Sequence, residues 1–121
     1  MAEAYKEKMK QKMDAFVHKV FKMARSFPRE EIYVTASQIK RAALSIVLNY
    51  IEGFARIKKG NQLNFFEISY GSLKETKYLL YFSMKEGFLN DNDYQDAIKS
   101  IEEIAAMLWT EIASLSRSLE N

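Results

Sequence analysis

Residues 38–53 read QIKRAALSIVLNYIEG, an unbroken run whose first glycine is its last residue. Its apolar positions recur every three or four residues, which is the period of a helix and not of a strand. Wound at about 100° per residue, they separate into two faces. Ile39, Ala43, Ile46, Val47 and Tyr50 share one; Leu44, Leu48, Ile51 and the following Ala55 share another. The core of one bundle needs only the first face, so the second is surface in search of a neighbour.

Working outward, Thr35-x-x-Gln38 has the form of a capping box, in which each side chain satisfies a free backbone N–H of the other, so this helix is expected over about 35–55. Upstream, Tyr5, Met9, Met13, Phe16, Val20, Ala24 and Phe27 keep helical spacing over about 4–26, and Pro28 ends the run because it disfavours helical geometry in the residue before it. Downstream, a helix over about 61–86 closes at Gly87, a natural left-handed cap. It again has two apolar sides, with Phe65, Ile68, Leu79 and Phe82 on one and Phe66, Leu73, Leu80 and Met84 on the other. The last helix, about 91–118, starts among Asn90, Asp91 and Asp93, which suit a helix N-terminus. One proline and four glycines leave few other breaks. The fold class is all-α: one domain over 1–121, an antiparallel up-down-up-down four-helix bundle. The surplus apolar faces of helices two and three predict a homo-oligomer with Leu44, Leu48 and Ile51 at its interface. The alternative is a broad seam inside one chain.

The composition narrows the function classes. A chain of 121 residues and 14.1 kDa with 48% hydrophobic residues suits one folded domain. With no cysteine it has no disulfide, thiol nucleophile or thiolate metal site. The opening MAEAYKEKMKQKM lacks the apolar core of a signal peptide, and no long charge-poor run could span a bilayer. A cytoplasmic protein without membrane partner or cofactor is the expectation.

Polar residues interrupt the apolar pattern. Arg41, Ser45, Asn49 and Glu52 lie along one side of helix two, and Ser72 and Glu75 lie one turn apart in helix three. Buried polar groups need partners, so these six are expected to form a cross-helix network that fixes register or subunit geometry. A chemical alternative uses Glu52 and Glu75 as acid and base or as metal ligands. Against it, the Glu-x-x-His repeats of dimetal bundles are absent, and the sole histidine, His18, is distant in sequence. Ser45 and Ser72 have no histidine in a triad arrangement. Gly71 in mid-helix suggests a close approach by a neighbouring helix, whereas Gly53 and Gly60 read as turn residues. Phe16, Phe65, Phe66 and Trp109 read as packing residues.

Charge is divided along the chain. Residues 1–60 carry 13 basic and 6 acidic side chains, residues 61–121 only 5 against 10. Lys8, Lys12, Lys19 and Lys22 share one side of helix one, and Arg29, Arg56, Lys58 and Lys59 would extend the patch if loops and chain ends converge. Such a patch suits phosphates without base specificity. The alternative is a solvated face balanced by acidic helix four. No helix-turn-helix, zinc-finger or strand-stacking pattern adds to the first reading.

The stretch from Gln38 to Gly53 resembles the pattern Q-I-x-R-A-x-x-S-I-x-x-N-I-x-E-G of the four-helix-bundle proteins encoded within intervening sequences of bacterial 23S ribosomal RNA. Those proteins are related to the accessory variability proteins of diversity-generating retroelements. Phe65 to Glu75 is similar to the same family's F-L-x-I-A-x-G-S-x-x-E, with Ser69 where alanine is usual and, earlier, Tyr50 where isoleucine is common. The resemblance implies a cyclic homopentamer with a basic surface. In the retroelement relatives it implies a platform for a reverse transcriptase and its template RNA. The resulting expectation is a non-enzymatic oligomeric scaffold or accessory protein that contacts RNA, DNA or a reverse transcriptase. A purely structural or protein-binding oligomer is the first alternative, and a small carboxylate-dependent enzyme using Glu52 and Glu75 is the second.

Overall fold

The computed structural model describes residues 2–120, so Met1 and Asn121, the ends of the expected domain, lie outside the described residues. Helix α1 spans Ala2–Ala24, α2 Thr35–Ala55, α3 Lys59–Lys85 and α4 Asp91–Leu119, with one 3₁₀ turn at Arg29–Glu31 and no strand among the described residues. Helix α1 closes before Ser26 because its final turn tightens: Ser26 and Phe27 donate to the carbonyls three residues back, Met23 and Ala24, at 3.0 and 3.2 Å. Pro28 follows.

The ends of the other helices show which local signals act. Gly87 adopts φ +82°, its N–H donates to Met84 O at 3.1 Å, and Phe88 N–H donates to Ser83 O at 2.8 Å. This paired closure satisfies two carbonyls of the last turn, and the Phe88 ring then packs on Phe82, centroids 6.5 Å apart. Asn90 caps α4 by accepting from Asp93 N–H at 2.8 Å. The expected capping box at Thr35 is not formed. Thr35 is already the first helical residue, its hydroxyl donates to Glu31 Oε1 at 2.6 Å, and the Gln38 amide instead reaches across to Glu75 at 2.8 Å.

Each helix packs on two others: α1 on α2 and α4, and α3 on α2 and α4. Contacting residues descend on one helix as they ascend on its neighbour. Along α2 and α3 the pairs are Gln38 with Glu75, Ser45 with Ser72, and Ser69 with Ile46. Along α1 and α4, Tyr5 meets Met107 and Lys19 meets Ser100. Lys6 and Lys40 of the α1–α2 pair sit over Phe54 and Phe21. Neighbouring helices are therefore antiparallel. The shared interior holds Met9, Met13, Phe16 and Val20 from α1, Ile39, Ile46 and Tyr50 from α2, Leu73 and Leu80 from α3, and Ile101, Ile104 and Leu108 from α4, all with at most 2% exposure. Each such side chain contributes on the order of 1.5–3 kcal/mol through burial.

The close helix approach occurs at a different glycine from the one expected. A Cβ at Gly71 would meet nothing within 4 Å, whereas one at Gly53 would lie 2.5 Å from Phe66 Cε1. Gly71 is on the exposed side of α3, while Gly53 is buried where α2 and α3 converge. Phe66 fills the space that a Gly53 side chain would take, stacked at 5.2 Å on Tyr50 and tilted at 5.1 Å against Phe54.

Candidate interaction surfaces

The expected polar network resolves into three separate arrangements. Its centre is a half-buried seam between α2 and α3: the Ser45 and Ser72 hydroxyls are 2.6 Å apart, and the Asn49 amide donates to Ser45 Oγ at 2.9 Å and to Ser45 O at 2.8 Å. Glu75 lies at the Gln38 end of the seam. Glu52 pairs instead with Arg56, the residue just after α2, at 3.4 Å. Arg41 is exposed and joins none of these bonds. Gln38, the partner of Glu75, lies fourteen positions before Glu52, so a rise of about 1.5 Å per residue separates the two carboxylates by roughly 20 Å. The geometry thus does not bring together the acid–base pair that the chemical alternative requires. Among the described residues, no three potential ligands gather to hold a metal ion, and no helix is long and apolar enough to cross a membrane.

The fully buried hydroxyls are others: Ser69, Thr76 and Ser83. Ser69 Oγ donates across the helix pair to Ile46 O at 2.6 Å, while Thr76 and Ser83 bond carbonyls of their own helix, Ser72 O at 2.8 Å and Leu79 O at 2.7 Å. Thr76 and Ser83 are thus buried by folding back on their own helix, whereas Ser69 bridges α3 to α2.

The basic patch is likewise divided. Lys12 pairs with Glu103, and Lys19 pairs with Asp96 at 2.7 Å and Ser100 at 3.0 Å, so both lysines are engaged along the α1–α4 seam. The Lys12 ammonium, through a hydrogen bond and its charge, holds the Glu103 carboxyl below the usual carboxylate range. Lys8 and Lys22 remain exposed. Arg29 does not converge with Arg56, Lys58 and Lys59. It follows the end of α1, beside Ala36 and Lys40 at the start of α2, whereas the other three link the end of α2 to the start of α3. Antiparallel packing places those connections at opposite ends. At the second end the Arg56 guanidinium lies over the Phe65 ring, 4.7 Å from its centroid, and Lys58 and Lys59 are exposed.

The second apolar face of α2 stays open in the protomer: Leu44, Leu48 and Ile51 are 38%, 58% and 46% exposed. With Ala55 after them, they form an apolar stripe with steps of four, three and four residues, and Arg41 lies one step before Leu44 on the same side. That alternation is the spacing by which one helix seats against another in a coiled-coil seam. Trp109, expected in the core, is 56% exposed, and its ring tilts against Tyr70 at 5.5 Å on the outside of α3 and α4.

Sequence reasoning missed one polar pair at the end of the bundle where α1 begins. The Tyr50 hydroxyl, at the bottom of the α2 core face, donates to the half-buried Glu111 carboxylate of α4. Tyr5 OH donates nearby to Met107 O at 2.9 Å. Burial raises the Glu111 carboxyl above its ordinary range, against a lowering by the Tyr50 hydrogen bond. Burial, with the Glu111 hydrogen bond and charge, also raises the Tyr50 hydroxyl. The available signal was positional: Glu111 falls three residues after Leu108 and four before Leu115, on the edge of the apolar stripe of α4.

The sequence model of a family described as 23S rRNA-intervening sequence protein matches residues 6–110. A crystal structure from Bacteroides thetaiotaomicron, described as a protein with unknown function from the S23 ribosomal protein family, superposes with a TM-score of 0.84. The alignment covers 90% of this chain and 98% of that one at 21% identity, a likeness of fold. No curated protein matches the chain significantly.

Proposed function

Because the chain belongs to the family of 23S rRNA-intervening sequence proteins, we propose that it acts as a non-enzymatic scaffold, a homo-oligomer joined through the outer face of α2. The observation that carries this reading is the open stripe of Leu44, Leu48 and Ile51. An apolar, coiled-coil-spaced strip gains free energy by leaving water, and a second copy offers a surface with the same spacing or the apolar outer side of α3, where Ile68 is 43% exposed. The assembly implied by the sequence resemblance is a cyclic pentamer of up-down-up-down bundles. Light scattering should then return about five times 14.1 kDa. A monomer at micromolar concentration overturns the proposal.

A second reading adds phosphate contact, supported by the cluster of Arg56, Lys58 and Lys59 at one end of each protomer. Oligomerisation would repeat that cluster around the assembly and make weak contacts act together. A template RNA, with or without a reverse transcriptase, is the partner that such a surface would serve. Titration with structured RNA, single-stranded RNA and duplex DNA should show affinity falling as salt rises, through counterion release. Lys58→Glu with Lys59→Glu should abolish binding, and Lys8→Glu with Lys22→Glu should weaken it less. Binding that is flat in salt, or absent at low salt, leaves the scaffold as a protein-only assembly.

A further inference from the structure

A cavity of about 410 Å³ opens where the start of α1 and α3 meets the end of α2 and α4. Its walls include Tyr5, Phe54, Phe66 and Leu115, with one acid, Glu111, and one base, Lys59. We propose that this cavity binds a small primary alkylammonium ion, its charge paired with Glu111 and its hydrocarbon chain laid against Phe54, Phe66 and Leu115. The site lies away from the outer face of α2 and stands or falls independently of the scaffold reading.

Three features point to that ligand chemistry. Glu111 is half-buried, and among the described residues its carboxylate receives only the Tyr50 hydroxyl and pairs with no lysine, arginine or histidine. A carboxylate withdrawn from water without a counter-charge is costly, and a bound cation offsets that cost. The walls of Phe54, Phe66 and Leu115 give the hydrocarbon chain an apolar surface on which to leave water. The volume is in the range of small-molecule sites. Charge then selects among amines. Lys59 on the wall and Lys6, 4.6 Å from the Phe54 ring centroid, repel a second positive centre, so a monoamine with an apolar tail fits better than a polyamine, and a carboxylate there would meet the like charge of Glu111.

Calorimetric titration of the full chain with n-pentylammonium chloride, at neutral pH and fixed ionic strength, tests the site against pentan-1-ol and spermidine. Saturable binding of one pentylammonium per protomer is expected, about tenfold or more tighter than either comparison compound, a difference of about 1.4 kcal/mol. Glu111→Gln should remove that preference. Ser114→Trp, which fills the cavity from an exposed position on α4, should abolish binding and keeps the test open if Glu111→Gln fails to fold. Lys59→Ala should strengthen binding several-fold. Equal affinity for pentanol, tighter binding of spermidine, binding that survives Ser114→Trp, or no saturation below about 10 mM would each overturn the proposal.

Discussion

A methyl group added at Gly53 would meet Phe66 at 2.5 Å, and Phe66 cannot withdraw because Tyr50 and Phe54 hold its ring. Gly53→Ala should therefore destabilise the protein by about 1–2 kcal/mol, the cost of overpacking less the better helix propensity of alanine. Gly71→Ala meets no neighbour and should stabilise by up to about 1 kcal/mol. Urea unfolding at one protein concentration reads both. A loss at Gly71 would mean that another chain packs against that side of α3. The sequence pointed to the wrong glycine because a mid-helix position looks anomalous in a pattern, while a close approach depends on which aromatic ring arrives from the partner helix. Glu111 makes a second residue-level prediction. Burial raises its carboxyl, so the folded protein holds that proton more tightly than the unfolded chain, whose value is near 4.5. The resulting stabilisation is full below the unfolded value and is lost as pH rises through the folded one. Relative to Glu111→Gln, whose amide oxygen still accepts from Tyr50, the native chain should gain thermal stability as pH falls from neutrality toward the unfolded value of 4.5. Parallel melting curves across that interval would contradict the assignment.

Helix ends were legible where the signal is a backbone requirement and less so where it is a side-chain preference. Gly87 must supply a left-handed conformation, and it does so at φ +82° with both closing hydrogen bonds in place. Gly87→Ala forces a Cβ into that region at a cost of about 1–2 kcal/mol, and Asn90→Ala removes the α4 cap for about 1 kcal/mol more. The two lie three residues apart in one connection, so the double variant is expected to depart from additivity. Chemical denaturation of the two single variants and the double variant measures each term. If neither single variant loses stability, this connection does not limit the fold. Thr35 and Gln38 show the other case. Their spacing matched a capping box, but Glu31 and Glu75 were better placed to take their hydrogen bonds, and neither acceptor is visible from a four-residue motif. The same reason explains Lys12 and Lys19: one-sided spacing on α1 was readable, while pairing with Glu103 and Asp96 required knowing which face of α4 lies opposite.

At the scale of the whole molecule, the two apolar faces of α2 have different fates, and that difference is the strongest lever on the scaffold reading. Ile39, Ala43, Ile46 and Tyr50 are buried inside the protomer at 1% exposure or less, as their shared helical face implied. The other face was equally clear in the sequence, but periodicity cannot say whether the same chain or another covers it. Within the protomer nothing covers it, since α1, α3 and α4 leave Leu48 58% exposed, and the mass of the protein in solution reads whether a second copy does. Leu48→Glu therefore puts charge in water in the isolated protomer, where it should change stability by no more than about 0.5 kcal/mol. In an oligomer seated on this stripe, the same carboxylate must enter an apolar contact without a partner. The expected outcome is a helical, cooperatively melting chain whose light-scattering mass falls to that of a protomer. Arg41→Glu, on the same stripe, tests whether the neighbouring surface is acidic, since charge reversal would then also lower the mass. A Leu48→Glu protein with undiminished mass would move the subunit contact to another surface. One that loses its helices would place Leu48 in a core that this arrangement of helices does not contain.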